Sequence, residues 1–505
     1  MTSLTRILEG PEATEALGAE LALVARPGTA ILLYGDLGAG KTTLARAFIR
    51  ALADAAIEVP SPTFTLVQTY DQTRIPVAHA DLYRLSGGQD LQELGLDELS
   101  RTHQLIIEWP DRLGDDLPPD RLDIVLSHEG QGRKAHLTGH GSWDQALSRL
   151  DAIAQFLPTT EWSSAKRRFL EGDASFRRYE RLSCHLGSAV LMDMPARPDG
   201  PIVKRGKPYS AIAHLAENIS AVLAVNDHLA GMGLSAPHIF GANAETGLAV
   251  IEDLGSRVYG RMMLAGEDMR EPMSEAVKLL AFMAEETWPA SVPVRGGGTH
   301  SFSAYDRDAM TIEIELLIDW LWPLIKGAPI GQAERDEFLA IWLPLIERVQ
   351  PEHPVWTLRD YHSPNLMWLP EREGLKRVGL IDTQDCVIGH PAYDLVSMLQ
   401  DARVDIPVAM HDQLFAFYCA ARRGATGFNE KDFATVYAIL GAQRETKILG
   451  IFARLSKRDG KHIYLRHIPR VSSYLERNLA HPVLADLKSW MDRHLPKAQR
   501  ERLPQ

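Results

Sequence analysis

The chain has 505 residues, 45% of them apolar and 24% charged, which is typical of a globular protein with more than one hydrophobic core. Its formal net charge of -12 argues against a protein that coats nucleic acid or a membrane surface. The three cysteines show no metal-ligand spacing, no signal peptide is recognisable, and no apolar run reaches the ~20 residues that span a bilayer. These features predict a soluble, cytoplasmic protein with reduced thiols.

Two domains are predicted from the order of the motifs and from a change in composition. The first domain covers residues 1–156. A Gly-rich, polar stretch and a short helical segment then lead to a linker near residues 155–162. The second domain covers residues 162–505 and is read as an N-lobe of mixed strands and helix (about 162–252) and a largely helical C-lobe (about 256–505).

The first motif of the chain joins a predicted strand to a predicted helix. The apolar run Thr29–Tyr34 enters Gly35-Asp-Leu-Gly-Ala-Gly-Lys-Thr42, a complete G-x-x-x-x-G-K-T, and residues 43–52 have a helical pattern. In such a loop backbone N–H groups surround phosphates, the lysine reaches the β- and γ-phosphates, and the threonine hydroxyl ligates magnesium. The predicted nucleotide-binding residues are Gly35, Gly38, Ala39, Gly40, Lys41, Thr42 and Thr43.

Two carboxylates follow at the ends of short apolar stretches. Pro76–Asp81 and Leu105–Glu108 each place an acid where a strand is predicted to end. One acid would hold the magnesium shell while the other orients water. Each taken alone fits a surface acid at a strand end equally well, and only the P-loop upstream favours the functional interpretation.

These motifs together resemble the TsaE family, the ATPase subunit of the bacterial tRNA threonylcarbamoyladenosine machinery. The resemblance covers nearly all of the first 130 residues. Besides the P-loop, the segments that carry it are Val59–Phe64, His79–Leu85, Glu93–Leu96 and Glu108–Pro110.

The resemblance to TsaE implies roles for individual residues and partners. It implies that Thr42 and Glu108 serve magnesium, that Asp81 contributes to ATP hydrolysis, and that Thr63 lies in a switch-like loop. Trp109 is expected near the nucleotide, although an aromatic residue beside a strand end is more often core. The resemblance also implies ATP and Mg²⁺ as cofactors and TsaB- and TsaD-like subunits as partners. Contact with tRNA would be indirect, through those partners.

The second domain carries three segments in the order that phosphoryl transfer by a kinase-like fold requires, namely Leu358–Asn365, Val378–Asp382 and Gly389–Leu395. Such chemistry needs an acid beside the substrate hydroxyl, an amide oxygen for magnesium, and a second carboxylate that bridges metal and phosphates. Asp360 is therefore the predicted catalytic base, with Asn365 and Asp382 as magnesium ligands. Asp394 is expected to support the loop that carries Asp360.

Two upstream segments are weaker candidates for nucleotide contacts. Glu171–Tyr179, with Ser175 at its centre, is predicted to cover the ATP phosphates, although a polar hairpin turn explains it as well. Ala249–Gly255, with Glu252, fits a hinge whose backbone meets adenine, and a strand that ends in an acidic turn fits equally.

The second domain resembles the aminoglycoside phosphotransferase superfamily over nearly all of residues 162–480. Within it the motifs are most similar to the N-acetylmuramate/N-acetylglucosamine kinases (AmgK), which implies ATP, Mg²⁺ and an amino sugar phosphorylated at the anomeric hydroxyl. A choline- or aminoglycoside-like kinase and a pseudokinase binding module remain as alternatives. The segments that carry the resemblance are Gly172–Tyr179, Leu191–Asp193, Arg359–His362, Asn365–Met367, Asp382–Asp385, Tyr393–Val396 and Leu449–Leu455.

The sequence departs from the broader superfamily at two places. Leu358 replaces a histidine, which is expected to loosen the catalytic loop, and Val190–Asp193 lacks the usual strand lysine. Arg177 and Lys204 are candidates for the missing charge, although a solvated surface role is the simpler interpretation of both.

The overall expectation is an α/β P-loop NTPase domain followed by a two-lobed α+β protein-kinase-like domain, each with its own ATP and magnesium. Asp385, His362 and Arg444 are suggested as sugar contacts only by their position near motif residues.

Overall fold

The computed structural model describes residues 1–53, 56–63, 65–85, 94–170, 177–196 and 200–502. The chain folds into two compact units. One comprises Met1–Asp173 with Tyr179–Ser188, and the other Ala174–Arg178 with Ala189–Gln505. Across the described ranges, no helix has the length and apolarity that crossing a bilayer requires. The predicted nucleotide contact Ser175 lies outside the described residues.

The first unit is built on a seven-stranded sheet. Its strands are β1 Ser3–Leu8, β2 Ala30–Tyr34, β3 Val67–Tyr70, β4 Val77–Asp81, β5 Gln104–Glu108, β6 Arg121–Glu129 and β7 Gly132–Gly139. They lie in the order β1-β7-β6-β2-β5-β4-β3. β2 pairs in parallel with β5 and β6, and β4 pairs in parallel with β5. The α/β class predicted for this region is confirmed.

Along the chain, the helices of the first unit lie between its strands or follow the last strand of the sheet. They are α1 Pro11–Val24, α2 Lys41–Ala51, α3 Leu96–Leu99 and α4 Ser142–Phe156. α2 begins directly after the P-loop, as the order of strand, loop and helix predicts. Strands β8 Lys166–Leu170 and β9 Arg178–Cys184 pair as antiparallel partners in the same unit.

The central parallel strands β2, β4 and β5 are buried on both faces of the sheet. Ile31 and Leu33 of β2 pack into one hydrophobic cluster with residues of α1, α2 and α4. Ala30 and Leu32, which alternate with them, pack into a second cluster with residues of β4 and β5. A parallel strand covered on both sides has to be apolar at every position, which explains the continuous apolar run before the P-loop.

The second unit begins with short antiparallel strands. They are β10 Gly187–Asp193, β11 Ile202–Lys204, β12 Lys207–Pro208, β13 Ile239–Asn243 and β14 Leu248–Glu252. β14 pairs with both β13 and β10. Later pairs join β15 Ser291–Pro293 to β16 Thr299–Ser301, β17 Val355–Thr357 to β20 Val387–Gly389, and β18 Leu366–Trp368 to β19 Val378–Leu380.

The rest of the second unit is largely helical, as predicted. Its helices are α5 Tyr209–Ile212, α6 Ser220–Gly231, α7 Tyr259–Leu264, α8 Arg270–Met283, α9 Arg307–Leu316, α10 Trp322–Lys326, α11 Gln332–Arg348, α12 Ala392–Leu399, α13 Val408–Arg422, α14 Glu430–Asp459, α15 Ile468–Leu479, α16 Ala485–His494 and α17 Lys497–Arg500. A π-helical segment, Leu317–Leu321, continues α9.

The long helix α14 approaches α9 unusually closely. A Cβ atom at Gly450 would lie 2.3 Å from the carbonyl carbon of Leu316, which ends α9. A side chain of any size is excluded there, so the glycine lets the two helix backbones meet. This contact brings the polar residues of α9 beside those of α14.

Candidate active sites

The P-loop has a backbone that requires glycine at two points. Gly35 has a φ of +133°, and a Cβ atom there would lie 2.3 Å from the carbonyl oxygen of Leu126. Gly40 has a φ of +102° and is the residue from which α2 starts. L-residues with side chains rarely adopt such angles, so the loop conformation follows directly from the motif.

The Lys41 side chain lies on its own P-loop. Its Nζ donates to the carbonyl oxygens of Gly35 at 2.6 Å and Asp36 at 2.9 Å. The same atom lies 3.6 Å from the centre of the Trp109 ring. Burial lowers the pKa of Lys41, although the negative charge of Glu108 opposes that shift. Phosphate oxygens accept hydrogen bonds from an ammonium group more strongly than carbonyls do, so a nucleotide would compete for this lysine.

The two predicted acids meet at the ends of neighbouring strands. Asp81 and Glu108 are paired positions of β4 and β5, and both are buried. Thr42 donates through Oγ1 to Glu108 Oε2 at 2.8 Å, and His79 Nε2 lies 2.9 Å from Oε1 of the same carboxylate. Burial raises the pKa of Asp81, while the backbone N–H of Tyr83, 3.0 Å from its Oδ1, opposes the shift.

Two side chains at this site were given no role by the sequence analysis. His79 begins the segment His79–Leu85 that resembles TsaE, and it shares a face of β4 with Asp81 because alternate residues of a strand point the same way. Arg133 of β7 donates through Nη2 to the Gly38 carbonyl at 3.3 Å. A Cβ atom at Gly40 would lie 3.1 Å from its Nε. Arg133 is remote from the P-loop in sequence, so no local pattern pointed to it.

The other residues predicted for this site lie in or beside the P-loop. Ala39 is buried and donates its backbone N–H to the Asp36 carbonyl at 3.1 Å. Thr43 lies half-buried in the first turn of α2. Thr63 lies in the connection between α2 and β3, where its hydroxyl is 3.5 Å from the Ser61 carbonyl.

In the second unit, the loop after β17 carries Asp360 and is held by Asp394. The Asp394 carboxylate accepts the backbone N–H of Leu358 at 2.7 Å and that of Arg359 at 2.9 Å. This is the support expected of Asp394. Burial raises its pKa to about 7. Leu358 is itself buried, so the loop is anchored at this point without a histidine side chain.

Asn365 lies at the end of the catalytic loop, and Asp382 lies on a neighbouring segment that is hydrogen-bonded to it. Asn365 donates through Nδ2 to the Asp360 carbonyl at 3.1 Å, a contact that uses the amide nitrogen rather than the oxygen. The Asn365 carbonyl accepts the N–H of Ile381 at 3.1 Å, which ties the catalytic loop to the residue before Asp382. Asp382 follows β19 and has a φ of +63°, a left-handed conformation that is uncommon for a residue with a side chain.

Arg177 is the cation that faces Asp382. Its Nη1 lies 2.6 Å from Asp382 Oδ1, and only 8% of the Arg177 side chain is exposed. The solvated role considered for Arg177 is therefore wrong. Burial raises the pKa of Asp382, and the charge of Arg177 opposes that rise. Lys204, the other candidate cation, instead pairs with Glu315 at 2.7 Å and is 38% exposed.

A buried polar cluster lies behind the catalytic loop. Arg359 Nη2 donates to Glu313 Oε1, and its Nη1 donates to the Ala213 carbonyl at 2.8 Å. Lys447 Nζ lies 3.3 Å from the same glutamate oxygen and 2.9 Å from the hydroxyl of Tyr393. Two cations therefore share one carboxylate, so the cluster carries one positive charge in excess.

This excess charge acts on the catalytic acid. Burial tends to raise the pKa of Asp360, but His362 and Lys447 together hold it below its ordinary value. Because burial lowers the pKa of His362 to about 4, the positive charge at neutral pH comes from Lys447, Arg359 and Arg444. Asp401 supports the loop from the other side by accepting the backbone N–H of Ser363 at 2.7 Å. Asp360 is thus kept as a carboxylate, the form that accepts a proton.

Three further predicted residues already have partners within the fold. Asp385 accepts the N–H of Ala216 at 2.7 Å. Glu252 ends β14, where its side chain lies 2.5 Å from Arg372. Arg444 is only 4% exposed and pairs with the adjacent Glu445 at 3.3 Å, which leaves it poorly placed for a sugar.

Comparison with known proteins separates the two parts of the chain. Residues 8–135 match the family described as threonylcarbamoyl adenosine biosynthesis protein TsaE, and residues 166–428 match the phosphotransferase enzyme family. The tRNA threonylcarbamoyladenosine biosynthesis protein TsaE of Bacillus subtilis is 38% identical over 125 residues, which is 25% of this chain and 77% of that protein.

The relatives of the second part are kinases. An N-acetylmuramate/N-acetylglucosamine kinase of Caulobacter vibrioides is 38% identical over 355 residues, covering 68% of this chain and 96% of that protein. The chain belongs to both the TsaE and the phosphotransferase enzyme families. A kinase of the same name from Pseudomonas aeruginosa is 32% identical, over 62% of this chain and 84% of its own length.

Membership of these two families identifies the chemistry of each part. The TsaE region is of the ATPase type, and the phosphotransferase region is a kinase related to sugar kinases. The alternatives of a pseudokinase and of a choline- or aminoglycoside-like kinase are not favoured by these relatives.

Proposed function

We propose that the phosphotransferase region transfers the γ-phosphoryl group of ATP to the anomeric hydroxyl of N-acetylmuramate or N-acetylglucosamine, as a step of cell-wall recycling. The observation that carries this proposal is the excess positive charge beside Asp360, in a chain whose phosphotransferase relatives are amino-sugar kinases. Anomeric hydroxyls are more acidic than other sugar hydroxyls, so a carboxylate with a lowered pKa suffices as the base.

In this proposal Asp360 accepts the proton of the sugar hydroxyl as the new bond to phosphorus forms. Asn365 and Asp382 would hold a magnesium ion, which would supply positive charge beside the phosphates of ATP. Ser175 and the backbone at Glu252 are proposed to contact the nucleotide. Arg177 holds Asp382 Oδ1 at 2.6 Å, so it would compete with a metal ion for the Asp382 carboxylate.

The residues at the proposed metal site fit magnesium. Asn365 uses its amide nitrogen within the protein, so the oxygen can serve as a ligand. In the described ranges no group of three or more His, Cys, Asp or Glu residues is arranged to hold a metal. Magnesium does not require such a cage, since it is usually bound through one or two protein ligands together with substrate phosphates.

The acid of N-acetylmuramate distinguishes it from N-acetylglucosamine, and Lys447 is proposed to recognise it. Arg444, suggested from the sequence, is buried against Glu445. The charges of both residues act on Asp360, but Lys447 is the more exposed of the two, at 12% of its side chain against 4% for Arg444. Arg454 adds a further cation on the same face of α14, with its guanidinium 4.8 Å from the centre of the Tyr209 ring. An anionic sugar is therefore expected to bind at this face of α14.

A panel of sugars with labelled ATP tests the substrate. N-Acetylmuramate and N-acetylglucosamine should yield sugar 1-phosphates, whereas their methyl glycosides, in which the anomeric oxygen is blocked, should be inert. Aminoglycosides and choline serve as comparison acceptors. Phosphorylation of a methyl glycoside at another hydroxyl would contradict the assignment.

For the TsaE region we propose ATP hydrolysis in a tRNA-modifying complex. Gly35, Gly38, Ala39, Gly40 and Lys41 would surround the phosphates, with Thr43 beside them. Thr42 and Glu108 would hold magnesium, an assignment supported by their 2.8 Å contact, and Asp81 would contribute to hydrolysis.

The partners proposed for this region are subunits like TsaB and TsaD, which would make its contact with tRNA indirect. Both reactions use ATP and are proposed to occur in the cytoplasm. Addition of purified TsaB and TsaD should raise the rate of ATP hydrolysis by the full chain. An unchanged rate, together with no detectable complex, would contradict the proposed partnership.

The boundary between the two proposed domains is placed between residues 156 and 162. The end of α4 at Phe156 and the start of the phosphotransferase match at residue 166 support this placement, although the two compact units divide later, after Asp173.

A further inference from the structure

A cavity of about 460 Å³ in the second unit has three arginines, Arg466, Arg470 and Arg477, among its eight lining residues. Arg470, Ser473, Tyr474 and Arg477 lie on one face of α15, and Arg466 lies just before this helix. Asp405 and Ile406 form another wall. None of these residues belongs to the catalytic site described above.

The charges of this cavity are poorly balanced by its own walls. Arg466, Arg470 and Arg477 face a single carboxylate, that of Asp405. The two Asp405 oxygens accept hydrogen bonds from Arg470 Nε at 2.5 Å and Arg470 Nη2 at 2.9 Å. Arg477 Nη1 is buried without a hydrogen-bond partner in the described part of the chain. Burial lowers the pKa of the neighbouring His467 to about 4, and the charges of Arg466 and Arg470 contribute to that shift. Because the chain as a whole has a net charge of -12, its overall composition does not explain a positively charged cavity.

We propose that this cavity binds a small phosphate monoester. Arginine presents a planar fork of donors that matches phosphate oxygens, and two or three arginines around one group are typical of such sites. The size of the cavity suits a small organic phosphate. A long polyanion such as RNA would extend past the cavity and meet the negative charge of the rest of the chain.

The cavity wall is continuous with the support of the catalytic loop. Arg470 Nη1 donates to the Ala402 carbonyl at 3.1 Å, and the backbone N–H of Ile406 donates to the Tyr474 hydroxyl at 3.1 Å. Asp401, at the start of this segment, accepts the N–H of Ser363 in the catalytic loop. A bound phosphate competes with Asp405 for Arg470, so it is expected to loosen the segment 401–406 and lower the kinase rate.

Calorimetry with the full-length protein tests the site, with glycerol 3-phosphate as the probe and glycerol as its neutral counterpart. Glycerol 3-phosphate should bind and glycerol should not. Arg477→Gln should weaken binding at least tenfold. Ser473→Asp, which adds a negative charge at an exposed position without removing an arginine, should have the same effect.

Arg493→Gln is the matched control. It removes an arginine from a second cavity of about 420 Å³, where Arg493 is accompanied by the acids Glu337 and Asp486. Binding should be unchanged in this variant. Equal affinity for glycerol, or affinity unaffected by both Arg477→Gln and Ser473→Asp, would overturn the site. A short RNA that binds more tightly than glycerol 3-phosphate through the same arginines would also overturn it, in favour of a nucleic-acid surface.

A measurement of kcat tests the proposed link between the cavity and the catalytic loop. Saturating glycerol 3-phosphate should lower kcat of the wild-type kinase at least twofold, with no change in Ser473→Asp. Binding without any change in kcat would leave the site in place and overturn the link. Because binding is measured without a sugar, failure here is distinguishable from failure of the proposed kinase activity.

Discussion

The two nucleotide sites are assembled in different ways. In the first unit, Lys41 and Thr42 belong to one loop and helix start, and they meet acids at the ends of adjacent strands. In the second unit, the catalytic loop depends on side chains far away in sequence, such as Glu313 and Lys447. A site contained in one strand–loop–helix unit can be recognised from its motif, whereas a site supported at long range shows only its central residues.

The largest effects on activity are expected when each of the two sites is inactivated in turn. Asp360→Asn should lower kinase turnover by roughly 10²–10⁴, the scale of a lost general base, while ATP affinity and the ATP hydrolysis of the P-loop stay unchanged. Lys41→Ala should abolish that hydrolysis and leave sugar phosphorylation intact. Both activities are measured in both full-length variants. Loss of kinase activity in a folded Lys41→Ala protein would show that the two sites are not independent.

Removal of the long-range support should affect stability as well as rate. Glu313→Gln leaves Arg359 and Lys447 without their shared carboxylate, and loss of one partner from a buried ion pair costs about 3–5 kcal/mol. Denaturant unfolding of the full chain measures this cost as the decrease in the free energy of unfolding of the phosphotransferase region.

Asp308→Asn is the control on the same helix. Asp308 pairs with Arg205 at 2.8 Å and both side chains are exposed, so its loss should cost about 1 kcal/mol or less. Equal costs for the two variants would mean that the cluster behind the catalytic loop has no special role.

The charge beside Asp360 leads to a smaller, selective effect. Lys447→Gln should raise KM for N-acetylmuramate about tenfold, equivalent to about 1.4 kcal/mol, and change KM for N-acetylglucosamine much less. Arg458→Gln is the control on the same helix, because Arg458 pairs with Asp459 and is 56% exposed. Steady-state kinetics with both sugars separates the outcomes. A parallel rise in both KM values would indicate lost packing and not recognition of an acid.

The last effect concerns the pH dependence of stability, through a buried acid of the second unit. Burial raises the pKa of Glu445 from 4.5 to about 8. The folded state therefore favours the protonated acid, and stability is lost as pH rises from the unfolded pKa towards the folded one. Glu445→Gln should reduce this loss, so the Tm of the variant relative to that of the wild type should rise between pH 5 and pH 8. Parallel Tm–pH curves for variant and wild type would contradict the shift.

Much of the first site could be predicted because its chemistry is local. Glycines at fixed spacing dictate the loop, and Asp81 and Glu108 were found at the ends of β4 and β5. His79 was in a quoted segment but was assigned no role, and Arg133 was not identified because its position beside the P-loop depends on the pairing of β7 in the sheet. The fold class followed from the same pattern of strand, loop and helix.

The second site was only partly predictable. Asp360, Asn365, Asp382 and Asp394 were identified from three short segments, and the structure brings them together. The pairing of Arg177 with Asp382 was not foreseen, because 205 residues separate them and no periodicity links such distant positions.

Gly450 illustrates how a residue without chemistry can control a reaction. It lies three residues after Lys447 on α14, and its missing side chain allows the contact with Leu316. Any larger residue would push the helix away and carry Lys447 out of reach of Glu313. Random mutagenesis screened for sugar phosphorylation should therefore show intolerance at position 450 as severe as at residues that touch the substrate. A map of functional sensitivity would mark this glycine as part of the active site, although its contribution is the distance between two helices.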